Sequence, residues 1–168
     1  MACHHCACVR GCRCRCHWFV GKEYGVTARA EWPTVMLMMS AAISTRSRDE
    51  TTKVGAVVAG PDWNVLGSGF NGNPRGAPDA DLPTSGSARH VWVVHAEVNS
   101  MLHAAMASGG RLEGCRLFST HRACEGCLKM AAHLGIKEAT YLVDELSPEQ
   151  RERAETVATT LGIKVAQG

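Results

Sequence analysis

No apolar run in this chain approaches the roughly 18 consecutive residues that a membrane-spanning helix requires, so no membrane association is expected. A strong charge bias is also missing. Eighteen Lys and Arg against sixteen Asp and Glu leave a net charge of +2, which is too little for a broad nucleic-acid-binding face. A small anionic substrate, which needs only a few local cations, stays open. Cysteine is absent from residues 17–114: six of the nine cysteines fall in the first sixteen residues, and the others are Cys115, Cys124 and Cys127. A secreted disulfide fold would spread its cysteines along the body, so a reducing compartment is expected. The N-terminus has no signal-peptide pattern, because Cys, His and Arg interrupt its apolar residues. A cytoplasmic location follows as the expectation. With 168 residues, 45% of them apolar, the chain can bury the core of one domain.

Two regions are expected. Residues 1–17 carry Cys at 3, 6, 8, 12, 14 and 16 and His at 4, 5 and 17. Cys-x-x-Cys and Cys-x-Cys beside His can hold zinc or copper, so a second metal is one reading. Alternating Cys and Arg lacks the hydrophobic frame of a folded zinc module, and the favoured reading of residues 1–30 is a disordered extension and linker. Residues 31–168 then form the domain.

Within it, Trp32-Pro33 opens a helix that is apolar nearly all round, which predicts burial between layers. Its methionines are read as packing. Residues 53–59 and 65–70 predict a hairpin turned at 61–64. A long Pro, Asp, Ser and Gly-rich loop from Asn71 to Arg89 reads as functional or mobile. A helix over 95–108 should bury Val98, Met101, Leu102 and Ala105. A strand over 115–119, a helix over 124–134 closed by Gly135, a strand over 138–143, a helix capped by Ser147 and closed by Gly162, and a strand over 163–166 complete the order. Alternating helices and strands predict a layered α/β domain.

The chemistry concentrates in His95-Ala96-Glu97 and Cys124-Glu125-Gly126-Cys127. His95, Cys124 and Cys127 make three ligands, the number a catalytic zinc uses when its fourth position is kept for water. Glu97 is the candidate catalytic residue, placed to move protons at that water. Both motifs sit at expected helix starts, where unpaired N–H groups and the helix dipole favour thiolate. The rival is a structural zinc, which needs a fourth protein ligand; His103 and His121 are the nearest donors, and His121 could instead contact substrate. Cys115 is read as core.

His-x-Glu followed by Pro-Cys-x-x-Cys is the signature of zinc nucleobase deaminases, reproduced here except that Ala123 stands where the proline would be. The chain resembles the deoxycytidylate (dCMP) deaminase family over about residues 31–166. The resemblance is carried by Glu31-Trp32-Pro33, Arg46-Ser47, Val54-Gly55-Ala56, Gly69-Phe70-Asn71-Gly72 with Pro74 and Gly76, Asp81 with Pro83, His95-Ala96-Glu97-x-Asn99, Cys124-x-x-Cys127 and Gly135-Ile136-Lys137. It implies a three-layer α/β/α fold with a five-stranded mixed sheet, one bound Zn2+, and hydrolysis of dCMP to dUMP and ammonia for thymidylate synthesis. It also implies a homo-oligomer, often a hexamer, with dCTP and dTTP as effectors. Glu97 matches the proton shuttle and Asn71 the nucleoside contact. Arg46, Asn73 and Arg75 are candidates for the regulatory nucleotide. A second zinc found in some phage members would have only His90 and His103 here.

Two departures motivate rivals. Ala123 loses the rigidity of proline, worth about 0.4–1 kcal/mol. Glu145-Leu146 replaces an aromatic common in the family. A catalytically silent nucleotide- and zinc-binding regulator is one alternative, and a deaminase of dCTP or 5-substituted dCMP is another. A tRNA base or a pterin- or flavin-type precursor is a third.

Overall fold

The computed structural model describes residues 29–78 and 80–168. The Cys/His-rich extension, with the second metal weighed for it, lies outside the described residues. Glu31–Gly168 forms one compact unit. Its elements are α1 (Trp32–Ser44), β1 (Gly55–Ala59), β2 (Val65–Phe70), a short 3-10 turn (Ser87–Val91), α2 (Ala96–Ser108), β3 (Arg116–His121), α3 (Glu125–Leu134), β4 (Glu138–Val143), α4 (Pro148–Leu161) and β5 (Lys164–Gln167).

The strands form one sheet in the order β2-β1-β3-β4-β5. β1 runs antiparallel to both β2 and β3, whereas β3, β4 and β5 are mutually parallel. This is the five-stranded mixed sheet expected. Alternation along the strands builds two cores. Ala56, Val58 and Leu117 face α2, α3 and α4, while Val57, Ala59 and Phe118 face Met36 and Leu37 of α1. The layers are therefore helix, sheet, helices.

Pro33 sits in the first turn of α1, where its missing N–H would have no partner. The expected burial of α1 on all sides is corrected: Met36, Leu37 and Ser40 are buried, but Trp32 and Met39 are exposed. An outer layer needs only one covered face.

The expected face of α2 also shifts. Ala96, Glu97, Ser100, Met101 and Ala104 are buried, whereas Leu102 is 47% exposed. The cause lies in β2. A Cβ on Gly67 would stand 2.4 Å from both Ala104 N and Ser100 O, and one on Gly69 would stand 2.5 Å from Ser100 N. Two glycines let the helix lie directly on the strand, and only small residues fit at that contact. Asn99 adds a bond from Nδ2 to Phe70 O at 2.9 Å.

Strand limits move by one or two residues for local reasons. β1 starts at Gly55 because the Val54 N–H is taken by Asn71 Oδ1 at 2.8 Å. β5 starts at Lys164 because the Ile163 N–H closes α4 onto Ala158 O at 2.8 Å. β3 runs on to His121, which pairs with Val143, while Cys115 lies just before the strand and is buried as expected. As a result the carboxyl ends of β2, β3 and β4 and the start of β1 share one edge of the sheet.

Candidate metal centre

At that edge two helices begin. His95 is the N-cap of α2 and Cys124 the N-cap of α3, both with extended backbone. Cys127 lies in the first turn of α3 and is buried under the sheet edge. The helix starts therefore bring together side chains 29 and 32 residues apart.

His95 Nδ1 lies 3.6 Å from Cys124 Sγ and 3.4 Å from Cys127 Sγ, and the two sulfurs are 3.7 Å apart. Zn–S bonds of about 2.3 Å and Zn–N bonds of about 2.0–2.1 Å put tetrahedral corners about 3.5 Å (N to S) and about 3.8 Å (S to S) apart. The donor triangle has the size a zinc ion requires. Charge agrees with this. Contact with Cys127 pushes the Cys124 thiol down to about 3, whereas the same contact, with burial, holds Cys127 well above its usual range. Contact with the Cys124 sulfur raises His95. Protons crowd where a divalent cation would replace them.

These three residues form a cluster able to hold one metal ion, and it is the one group of that kind among the described residues. Neither proposed fourth donor turns toward it. His121 Nε2 lies 3.3 Å from Glu145 and its Nδ1 lies 2.9 Å from Thr120 Oγ1. His103 contacts Ser68 O at 2.7 Å and Arg75 at 3.3 Å. Among the described residues, a closed structural site therefore lacks its fourth protein ligand, and His90 with His103 forms no second cluster.

Glu97 follows in the first turn of α2. It is 4% exposed, with Oε2 3.8 Å from Cys127 Sγ and Oε1 accepting from the Ser119 hydroxyl at 3.2 Å. Burial raises its pKa, opposed by the nearby His95. A buried carboxyl that can hold a proton suits acid–base work.

A cavity of about 300 Å³ opens onto His95, Glu97 and Cys124. Asn71 lines it too, at 6% exposure, but its amide mainly ties the fold. Nδ2 donates to Asp49 Oδ2 at 3.2 Å and to Thr52 O at 2.9 Å, and Oδ1 accepts from Val54 N. One Oδ1 lone pair remains for a ligand. Arg46, Asn73 and Arg75 lie elsewhere, around a separate cavity of about 370 Å³ that also includes His103.

The cavity includes His121 and Glu145-Leu146, singled out from the sequence, and also Arg89, Arg122 and Gln150, which sequence reasoning missed. Arg89 pairs with Asp49, whose Oδ1 accepts from Thr51 N and Thr52 N. Arg122 bonds Asp144 at 3.0 Å and Glu155 at 3.1 Å, beside Arg151, and thereby ties the turn before Cys124 to β4 and α4. His121, Glu145, Leu146 and Gln150 complete the far wall. An Asp49-x-Thr51 turn pattern is a local signal that could have pointed to the Arg89 partner.

Comparison with known proteins agrees with this site. Residues 30–143 match the model of the cytidine and deoxycytidylate deaminase zinc-binding region. A deoxycytidylate deaminase of Mus musculus is 29% identical over 142 residues, covering 81% of this chain and 76% of its own. One of Mycobacterium phage D29 is 34% identical over 128 residues, covering 68% and 96%. The crystal structure of a dCMP deaminase from cyanophage S-TIM5, in complex with dCMP and dUMP, superposes with a TM-score of 0.68 at 27% identity, covering 84% of this chain and 99% of that one.

Proposed function

This chain belongs to the zinc-dependent cytidine and deoxycytidylate deaminase family, and on that premise we propose that it converts dCMP and water to dUMP and ammonia. The observation that carries the reading is the His95, Cys124 and Cys127 triangle with Glu97 beside it, where His95, Cys124 and Glu97 line one cavity. The relatives with dCMP activity, one of them solved with substrate and product, supply the choice of pyrimidine nucleotide.

His95, Cys124 and Cys127 would hold the zinc, which when bound would supply Lewis acidity and lower the pKa of a water toward about 7. Glu97 accepts the proton of the attacking water, passes it to the ring nitrogen and later protonates the departing amine. The C4–O bond forms, the C4–N bond breaks, and the water provides both hydrogens that the products gain. Asn71 orients the nucleoside through its remaining lone pair, and the walls formed by Val93 and Leu146 flank the base.

The effector reading attaches to the second cavity. Arg46, Asn73 and Arg75 around one space of nucleotide size support dCTP and dTTP as its ligands. Exposed Leu102 and Met106 on α2 support a homo-oligomer. Ammonia release measured across dCMP, dCTP, CMP and deoxycytidine tests the substrate. Preference for dCMP supports the reading, and no release from any of the four would leave a silent binding protein.

A further inference from the structure

The carboxylate of Glu97 is held asymmetrically. Oε1 accepts the Ser119 hydroxyl at 3.2 Å, while Oε2 points to the metal centre, 3.8 Å from Cys127 Sγ. Ser119 is 2% exposed, so water has no access to replace it. It lies in β3, whose residue pairs on both sides, Ser119 with Ala56 and with Tyr141, fix its backbone within the sheet. Ser119 Oγ also faces the His121 N–H at 3.4 Å. With that donor on its lone pair, the hydroxyl hydrogen is left for Glu97. Among the described residues, no other side-chain nitrogen or hydroxyl bonds this carboxylate.

We propose that Ser119 is a positioning residue that anchors one oxygen of Glu97 to the sheet, so that the other oxygen alone carries the proton transfers. A glutamate side chain has three rotatable bonds, and a shuttle serving water, ring nitrogen and amine in turn must stay within hydrogen-bond reach of each. Small displacements at such a position cost large factors in rate. α2 positions the backbone of Glu97, whose own N–H also holds the carboxylate, and the Ser119 hydroxyl adds the one side-chain hydroxyl contact, tying Oε1 to the sheet. The inference rests on Glu97 being the proton shuttle.

The test compares the unaltered full chain with Ser119→Ala, Ser119→Thr and Glu97→Ala, with zinc measured on each sample. Ser119→Ala should keep one zinc per chain and hold KM within about twofold, while kcat falls about tenfold, or about 1.4 kcal/mol. Ser119→Thr, which keeps the hydroxyl, should regain most of the loss. A kcat for Ser119→Ala within twofold of the unaltered chain overturns the inference. So does a fall accompanied by zinc loss, which would assign Ser119 to holding the fold, and so does a folded Thr variant as slow as the Ala variant. If the Thr variant does not fold, the split between kcat and KM in the Ala variant decides. Glu97→Ala separates the two claims: turnover surviving there removes the shuttle itself, whereas turnover lost there beside an unaffected Ser119→Ala removes only the anchor.

Discussion

Cys124 Sγ and Cys127 Sγ lie 3.7 Å apart, the two at successive points of one helical turn, with His95 Nδ1 completing the triangle from another helix. The spacing is set by the N-terminus of α3 alone, so the sulfur pair is fixed by local structure. The histidine is supplied by packing of α2 on β2.

Removing one corner should empty the site. Cys124→Ala is expected to bind zinc about 100-fold or more weakly, because even outer-shell losses cost 10–100-fold. Metal analysis after dialysis, with ammonia release on the same sample, checks that metal and activity disappear together.

In the metal-free protein the thiol of Cys124, pushed down to about 3, is ionised throughout the neutral range. A lowered pKa means the thiolate persists above it and is lost only below it. Alkylation of Cys124 by iodoacetamide should therefore run at a nearly constant rate from pH 5 to pH 8, whereas an ordinary thiol speeds up about tenfold per pH unit below its pKa of about 8.5. Mass spectrometry after cleavage at both Arg122 and Glu125 separates Cys124 from Cys127 and the other seven cysteines, and added zinc should protect it.

Gly67 lies where α2 rests directly on β2, with no room for a Cβ. Gly67→Ala must push Ser100 and Ala104 away and should cost about 1–3 kcal/mol. Urea unfolding measures it. Because the shift also moves the helix bearing His95, zinc affinity should weaken in parallel.

Asn71→Ala removes three hydrogen bonds that join the end of β2 to residues 49–54. The Val54 N–H and Thr52 C=O lose that partner, while Asp49 keeps Arg89, and the loss should cost about 2 kcal/mol. KM for the nucleotide should rise as well, since the same side chain lines the cavity. Thermal melting with steady-state kinetics checks both.

Much of this architecture was legible because helix ends carry local chemistry. Ser147 with Gln150 forms a capping box, and Gly135 and Gly162 adopt the left-handed conformation that closes α3 and α4. The ligand set was legible for the same reason: each donor sits at or just inside a helix start. The buried face of α2 was legible only in part: Met101 is buried and Val98 packs on the core as expected, but the two glycines on β2 seat Ser100 inside and leave Leu102 outside. Ser119 was invisible, because its partner lies 22 residues away and a serine in a strand carries no sign of the carboxylate it faces.

The central claim is that an open three-ligand metal centre works through the carboxylate beside it. It is tested most directly by ammonia release from dCMP, measured for the unaltered chain and for Glu97→Ala with zinc quantified in both. The account predicts release by the unaltered chain, one zinc in each protein, and a loss of about 100-fold or more in the variant. Equal release by the two proteins, or none from the zinc-loaded unaltered chain, would contradict it.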